Sequence, residues 1–438
     1  MKWRLGLWCL AAALVWGGCS NALELDLILE DDLNNDVNND TNNDENNEPN
    51  NDTNNDGNND TNNDANNDTA PQLNRVDGGS FNADTVRTAF VGHVAIPFDG
   101  ESVLTLGGLG NDGMLVASEG VINTGSGMGT NGSGSFLLSN GDGVRLLDDE
   151  GFLVAGNEVI AFDGQNNSFV SVNDGGGWFP LLRLNAFYGE MKVLNLDRDR
   201  TLIVGNSGLA LHEGPISLDD EDPGTITEAL DLFESPTNGV NAWLASVNPP
   251  IIEIFDTSRI LRVQLEAGAD LFGNINITPS MGLPPARSFP GVVQNDDGQV
   301  LIVGGYDNMS GGVNASYLTH DSSDGTPLNR NGALPEFITP VYGTKGVLVG
   351  NFAVFFGGAT ELDAEPCRHA TNQVFLYNFA TGEWSLGPEM SVPRVEHTVT
   401  VLPNDTIVVV GGEADGSAVG CEANRSWDVY QFAPAQSE

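Results

Sequence analysis

Along most of the chain, short runs of Val, Ile, Leu and Phe alternate with clusters of Asp, Asn and Gly, and the alternation itself repeats. One phrase recurs: an apolar run, a polar turn, a second apolar run, then glycine. The copies read HVAIPFDGESVLTLGG ending at Gly108, VRLLDDEGFLVAG at Gly156, MKVLNLDRDRTLIVG at Gly205, GVVQNDDGQVLIVGG at Gly305, GVLVGNFAVFFGG at Gly358 and HTVTVLPNDTIVVVGG at Gly412. The spacing is about fifty residues, and WLASVNPPIIEIF, ending at Phe255, fills the place that this period leaves between Gly205 and Gly305. Short runs rich in β-branched residues and bounded by turn formers predict strands joined as hairpins. A fixed period of this length predicts seven copies of one structural unit.

The last two copies add a third strand, VFLYNF with Tyr377 and WDVYQF with Tyr430, 20 and 19 residues past Gly357 and Gly411. The sixth continues through ATGEWSLGP around Trp384, and Pro393-Arg394-Val395-Glu396-His397 leads into the seventh hairpin. In the glycine pair after strand two, the Tyr of strand three, the Trp after a turn and the Pro-Arg-x-x-His entry, residues 71–438 resemble the kelch repeats of the galactose-oxidase-like superfamily. The resemblance implies an all-β fold, a seven-bladed β-propeller whose four-stranded sheets bury their faces against one another. A six-bladed ring with the fourth unit as an insertion is the alternative. The seventh unit runs out of chain after its third strand, so residues 78–87, GGSFNADTVR, with Phe81 in the place of Trp384, are expected to supply the outer strand and close the ring.

Ahead of the repeats, Lys2 and Arg4 precede an apolar run at residues 5–16, too short for an ordinary membrane span. It ends in Trp-Gly-Gly-Cys-Ser and resembles a bacterial lipoprotein signal. Residues 1–18 are then a signal peptide and Cys19 is the lipidated residue. Acyl chains contributing roughly 0.8 kcal/mol per CH₂ would hold the mature chain on a membrane. Ser20 after the cysteine favours the outer membrane, on its periplasmic or exposed side. Residues 34–69 are nine copies of Asn-Asn-Asp/Glu-x, so 19–70 cannot bury enough apolar surface to offset chain entropy. A disordered tether of this length spans about 40 Å.

Charge narrows the partners. With 61 Asp and Glu against 17 Lys and Arg, the formal charge of −44 excludes nucleic acid, whose phosphates are bound by basic side chains. Membrane contact is expected through the lipid anchor only. Cys367 and Cys421 each lie ten residues after the first glycine of their pair, and equivalent positions in neighbouring units of an exported chain are expected to form a disulfide. Copper oxidases related to kelch proteins use a Tyr–Cys crosslink, for which such a disulfide leaves no cysteine. His93 and His397 share one repeat position and are read as packing residues. His212, His320 and His369 stand at no metal-ligand spacing, so no metal site and no cofactor are expected. Calcium is conceivable at acidic strings such as Asp148-Asp149-Glu150, Asp197-Arg198-Asp199 and Asp296-Asp297, but these fall where hairpin turns favour Asp.

Long loops follow several of the glycines and share one face with the crossings between units. The candidate ligand-binding residues there are Arg287, Arg394, Arg368, His369, Tyr306 and Tyr342. Arg287 and Arg394 each stand seventeen residues before a glycine pair. At the rim they would orient an anionic or polyhydroxyl ligand through bidentate bonds; otherwise they pair with local acids. The function expected is a monomeric, membrane-anchored, non-catalytic binding module for a protein or glycan. A sugar-active enzyme (epimerase, lyase or glycosidase) and a structural subunit of an envelope complex are the alternatives.

Overall fold

The computed structural model describes residues 72–80 and 93–432, apart from 100, 107–117, 125–127, 136–151, 156–157, 163–168, 174–177, 184–190, 197–199, 206–207, 214–224, 231, 233–240, 257–258, 267–270, 280–285, 308, 324–329, 363–368 and 416–420. Among these residues every regular element is a strand, and all the sheets are antiparallel. Seven of the sheets have four strands. In chain order the first holds Val94–Asp99, Ser102–Leu106, Ser118–Asn123 and Met128–Ser135; the second Phe152–Ala155, Glu158–Phe162, Phe169–Asn173 and Trp178–Arg183. The third holds Met191–Asn195, Arg200–Gly205, Gly208–Glu213 and Thr225–Leu230; the fourth Asn241–Val247, Pro250–Asp256, Arg259–Gln264 and Asn276–Pro279. The fifth holds Gly291–Gln294, Gln299–Val303, Ser316–Asp321 and Arg330–Ala333; the sixth Lys345–Val349, Phe352–Phe356, Val374–Asn378 and Glu383–Leu386.

The seventh sheet joins both ends of the repeat region. Thr398–Val401, Ile407–Val410 and Ser426–Phe432 take Leu73–Ser80 as their fourth, outer strand, in register from Leu73 opposite Phe432 to Ser80 opposite Ser426. An N-terminal strand was expected here from residues 78–87; it begins five residues earlier and includes 78–80, and residues 81–87, Phe81 among them, lie outside the described residues. Apolar positions explain the shift: Leu73 is buried with Tyr430, Val399 and Leu376, an anchor that the glycines at 78 and 79 do not offer.

Second strands are largely apolar because both of their faces are covered: Ile407–Val410 is buried throughout, as is Phe352–Phe356 after its first residue. Two of the outer strands, Glu383–Leu386 and Asn276–Pro279, are mostly exposed. The core therefore lies between sheets. Leu202, Val204 and Leu211 of the third sheet meet Ile252, Ile254 and Val263 of the fourth. Trp243 and Phe255 meet Ile302 and Leu318 across the fourth and fifth. Val303 and Leu301 meet Phe355 and Phe375 across the fifth and sixth, and Phe356 and Leu376 meet Val409 and Tyr430 across the sixth and seventh. Val408, Val410 and Trp427 of the seventh then pack on Ala95, Val103 and Ile122 of the first. Full burial of each such side chain is worth about 1.5–3 kcal/mol.

One hairpin differs from its sequence reading. VRLL and FLVA were expected to pair; VRLL lies outside the described residues, and Phe152–Ala155 is the first strand of the second sheet, paired with Glu158–Phe162. Asp296 and Asp297 lie in a hairpin turn, where Asn295 Oδ1 accepts the Gln299 amide at 2.7 Å. The strings at 148–150 and 197–199 lie outside the described residues.

Candidate functional site

The site is built where each hairpin hands over to the next sheet. After its second strand the chain turns through a glycine pair with positive φ at both residues: 62° and 89° at Gly304 and Gly305, 54° and 100° at Gly357 and Gly358. The amide of Gly305 donates to Val341 O, and that of Gly358 to Arg394 O, both at 3.0 Å. These bonds tie each sheet to the entry of the next. A Cβ on Gly304 would stand 2.1 Å from Val341 O and one on Gly357 2.6 Å from Arg394 O, so backbone geometry and close approach both demand glycine.

The residue after the glycine pair bridges the entry segment of its own sheet. Ser288 pairs with Tyr306, Tyr342 with Ala359, and Val395 with Glu413. The next entry residue is left-handed in all three sheets: Phe289 at 53°, Gly343 at 66° and Glu396 at 56°. For a residue with a Cβ this conformation costs about 1–2 kcal/mol, and only the middle position uses glycine. Asp405, the other non-glycine residue with positive φ among the described residues, sits in a hairpin turn where Asp accepts that conformation readily.

Small insertions rise around these corners. Tyr306–Asp307 pairs with Gly312–Val313, and Glu413–Asp415 with Cys421–Ala423. In the first, Asp307 accepts from Ser310 Oγ at 2.7 Å and from the Met309 amide at 2.8 Å, bonds that hold its carboxyl below the ordinary range. Tyr306 and Tyr342, both singled out by sequence, come together edge to face with ring centroids 6.0 Å apart, packed with Val313, Ala359, Ala370 and Val395. His369 lies on the same insertion as Glu361, its Nδ1 3.7 Å from Glu361 Oε2 in an exposed pair that stabilises little. Arg368 and Cys367 lie outside the described residues, as does Cys19. Cys421 opens a strand, and no disulfide occurs among the described residues.

The two arginines expected at the rim are interior. Arg287 and Arg394 are both 0 % exposed. Arg287 Nη1 donates to Gly304 O and Ser316 O at 2.8 Å each, and Nη2 to Ser316 Oγ at 2.6 Å. Arg394 repeats the arrangement on Gly411 O, Ser426 O and Ser426 Oγ at 2.9, 2.9 and 2.7 Å. Each guanidinium thus braces the glycine turn against the third strand of its own sheet and offers no surface to a ligand. Burial pulls Arg287 down to about 10, which leaves it charged at neutral pH. The alternative of pairing with a local acid holds for Arg394, which also meets Asp428 at 2.8 Å.

Asp428 itself was missed in the sequence. Fully buried, it accepts from Arg394, from Arg75 Nε at 3.0 Å and from Ser391 Oγ at 2.8 Å, joining the N-terminal strand to the seventh sheet. A second buried acid, Glu253, binds Trp243 Nε1 at 2.9 Å, His320 Nε2 at 2.8 Å and Arg262 between the fourth and fifth sheets. The signal was present: an acid inside an otherwise apolar strand, WDVYQF or PIIEIF, must find cations or donors when both faces are covered.

No protein-family model matches the chain, and no curated protein matches it in sequence. Solved structures do match. One, a fungal alcohol oxidase with catalytic diversity among the AA5 family, in complex with copper, is 15% identical and aligns with a TM-score of 0.58 over 82% of this chain and 76% of its own. This overturns two expectations. The non-catalytic binding module gives way to the enzymatic alternative, because the matching fold belongs to an enzyme. The expectation of no cofactor, or of calcium, gives way to copper as the metal to examine. The described residues do not by themselves fit that metal: no three His, Cys, Asp or Glu side chains converge, and His93, His212, His320 and His397 are buried, with His93 Nε2 2.8 Å from Thr398 Oγ1. At this identity what the two proteins share is the fold, which here is an all-β array of antiparallel four-stranded sheets.

Proposed function

We propose that the chain is a cell-envelope enzyme acting on a hydroxyl-bearing substrate, an alcohol or a sugar, at the loop face of its fifth to seventh sheets. The seven sheets form a closed seven-bladed propeller in this reading, supported by the packing of each sheet on the next and by the shared outer strand of the seventh. The observation that carries the activity is the loop face itself. Insertions rise there around the Tyr306–Tyr342 pair and three left-handed corners, on a fold that an alcohol oxidase also uses. Loops raised on a rigid scaffold are where reaction chemistry is usually placed.

Around that centre the rest is proposed from sequence. Residues 1–18 direct export, Cys19 carries the lipid, 19–70 hold residues 71–438 away from the outer membrane, and Cys367 bonds to Cys421. The working form is a monomer that meets a carbohydrate or protein ligand. The test is a turnover screen of the full-length chain in detergent, with and without Cu(II). Oxygen uptake would be followed on primary alcohols, and proton NMR on mono- and disaccharides for hydrolysis, elimination or epimerisation. Turnover that falls at least tenfold in Tyr306→Phe, with the melting temperature unchanged, is the expected result. A folded protein that turns over none of these substrates contradicts the proposal.

A further inference from the structure

A cleft opens where the sixth sheet meets the outer strand of the seventh. It holds about 300 Å³ and is lined by Arg75, Val76, Asp77, Gly78, Pro388 and Glu389, a volume at the lower end of small-molecule sites. The two sides are close: a Cβ on Gly387 would come within 3.3 Å of Leu73 Cδ2. One side owes its shape to a bulge. The pairing of Leu73–Ser80 with Ser426–Phe432 shifts register between Arg75 and Asp77, so Val76 has no partner across the ladder and is 51% exposed. Such bulges re-aim a side chain and recur beside functional sites. Arg75 is held through Nε on Asp428 Oδ1, yet its side chain stays 39% exposed, and its Nη2 lies 3.8 Å from where a Cβ on Gly78 would stand. Each carboxylate of the lining is steered by one neighbour: Asp77 Oδ1 accepts the Gly78 amide at 2.7 Å, and Glu389 Oε2 accepts Asn372 Nδ2 at 3.0 Å.

We propose that this cleft binds a small apolar α-amino acid as its zwitterion. The terminal nitrogens of Arg75 take the carboxylate, Asp77 and Glu389 take the ammonium group through the oxygens their neighbours leave, and Val76 with Pro388 covers the apolar side chain. The charges choose among ligands. Asp428 is shared between Arg75 and Arg394, so one positive charge of the three groups remains, facing the two carboxylates of the lining. A simple cation would meet Arg75, and a simple anion would meet Asp77 and Glu389 on a chain of formal charge −44. A molecule that carries both charges satisfies both halves of the lining. The cleft is built on the outer strand of the seventh sheet and not on the insertions around Tyr306 and Tyr342, so the inference stands apart from the proposed activity.

Isothermal titration calorimetry on the full-length chain in detergent tests it, with leucine, leucinamide and N-acetylleucine as probes. Leucine is expected to bind. Leucinamide lacks the carboxylate and N-acetylleucine the ammonium group, and each should bind about tenfold more weakly, the effect of losing one charge-assisted contact. Glu389→Gln keeps the acceptor for Asn372 and should weaken leucine by a similar factor with the melting temperature unchanged. Val76→Ser should bring the affinity for leucine down to that for glycine. Glu336→Gln removes the same charge from an exposed residue of the crossing between the fifth and sixth sheets and should leave binding as it was. The proposal is overturned if leucine shows no saturable binding at millimolar concentration, if either blocked form binds as leucine does, or if Glu336→Gln weakens leucine as much as Glu389→Gln.

Discussion

At the scale of single residues, burial decides what a charge does. Arg394 and Asp428 are both inaccessible to water, and removing Asp428 leaves Arg394 charged in the interior with only carbonyl and hydroxyl partners. Asp428→Ala is therefore expected to cost about 3–5 kcal/mol in chemical denaturation. Arg394→Lys should recover little of an alanine loss, because an ammonium cannot replace a fork that reaches two carbonyls and a hydroxyl at once. Tyr430 gives a pH signature. Burial, and next the charge of Asp428, raise its phenol above the ordinary tyrosine value. The neutral phenol is favoured in the folded state, so its contribution is full below pH ~10 and is lost as pH rises through the raised folded value. Among the described residues its hydroxyl has no hydrogen-bond partner. Tyr430→Phe should therefore hold stability at pH 7 and flatten its decline above pH 10, read as melting temperature against pH. Sequence placed Arg287 and Arg394 at one repeat position, which is correct; it could not show that the position points inward, because spacing carries no depth.

At the scale of elements, the glycine pair was legible and its cause was not. The recurrent Gly-Gly marks the end of strand two, but only three dimensions bring Val341 O and Arg394 O against it. Two glycines of similar φ separate conformation from crowding. Gly350 sits at 55° with nothing within 4 Å of its missing Cβ, whereas Gly304 sits at 62° against a carbonyl. Gly350→Ala is expected to cost about 1 kcal/mol, and Gly304→Ala several times that, since backbone of the next sheet must move. Comparable denaturation midpoints for the two would contradict this account of the turn. Most of the hairpins follow the sequence pattern. The second is described only from Phe152 onward, where Phe152–Ala155 pairs with Glu158–Phe162.

At the scale of the whole molecule, the closing strand was foreseen from the arithmetic of strands, though not its position. Leu73 and Arg75 set that position, one by packing against Tyr430 and the other by reaching Asp428. Arg75→Ala together with Leu73→Ala should lower the melting temperature of the entire sheet array in a single transition; a small separate early transition would mean that the outer strand is an independent appendage. The function was the least legible part. The sequence shows Glu396 only as one acid among many and Phe289 only as an apolar residue before a proline, and it is the left-handed backbone at both that sets them apart. Tyr306→Phe tests the loop face most directly, by turnover and thermal melt measured side by side. The account predicts that turnover falls at least tenfold while the melting temperature is unchanged. Turnover retained, or lost together with several degrees of melting temperature, would contradict a loop face built for substrate.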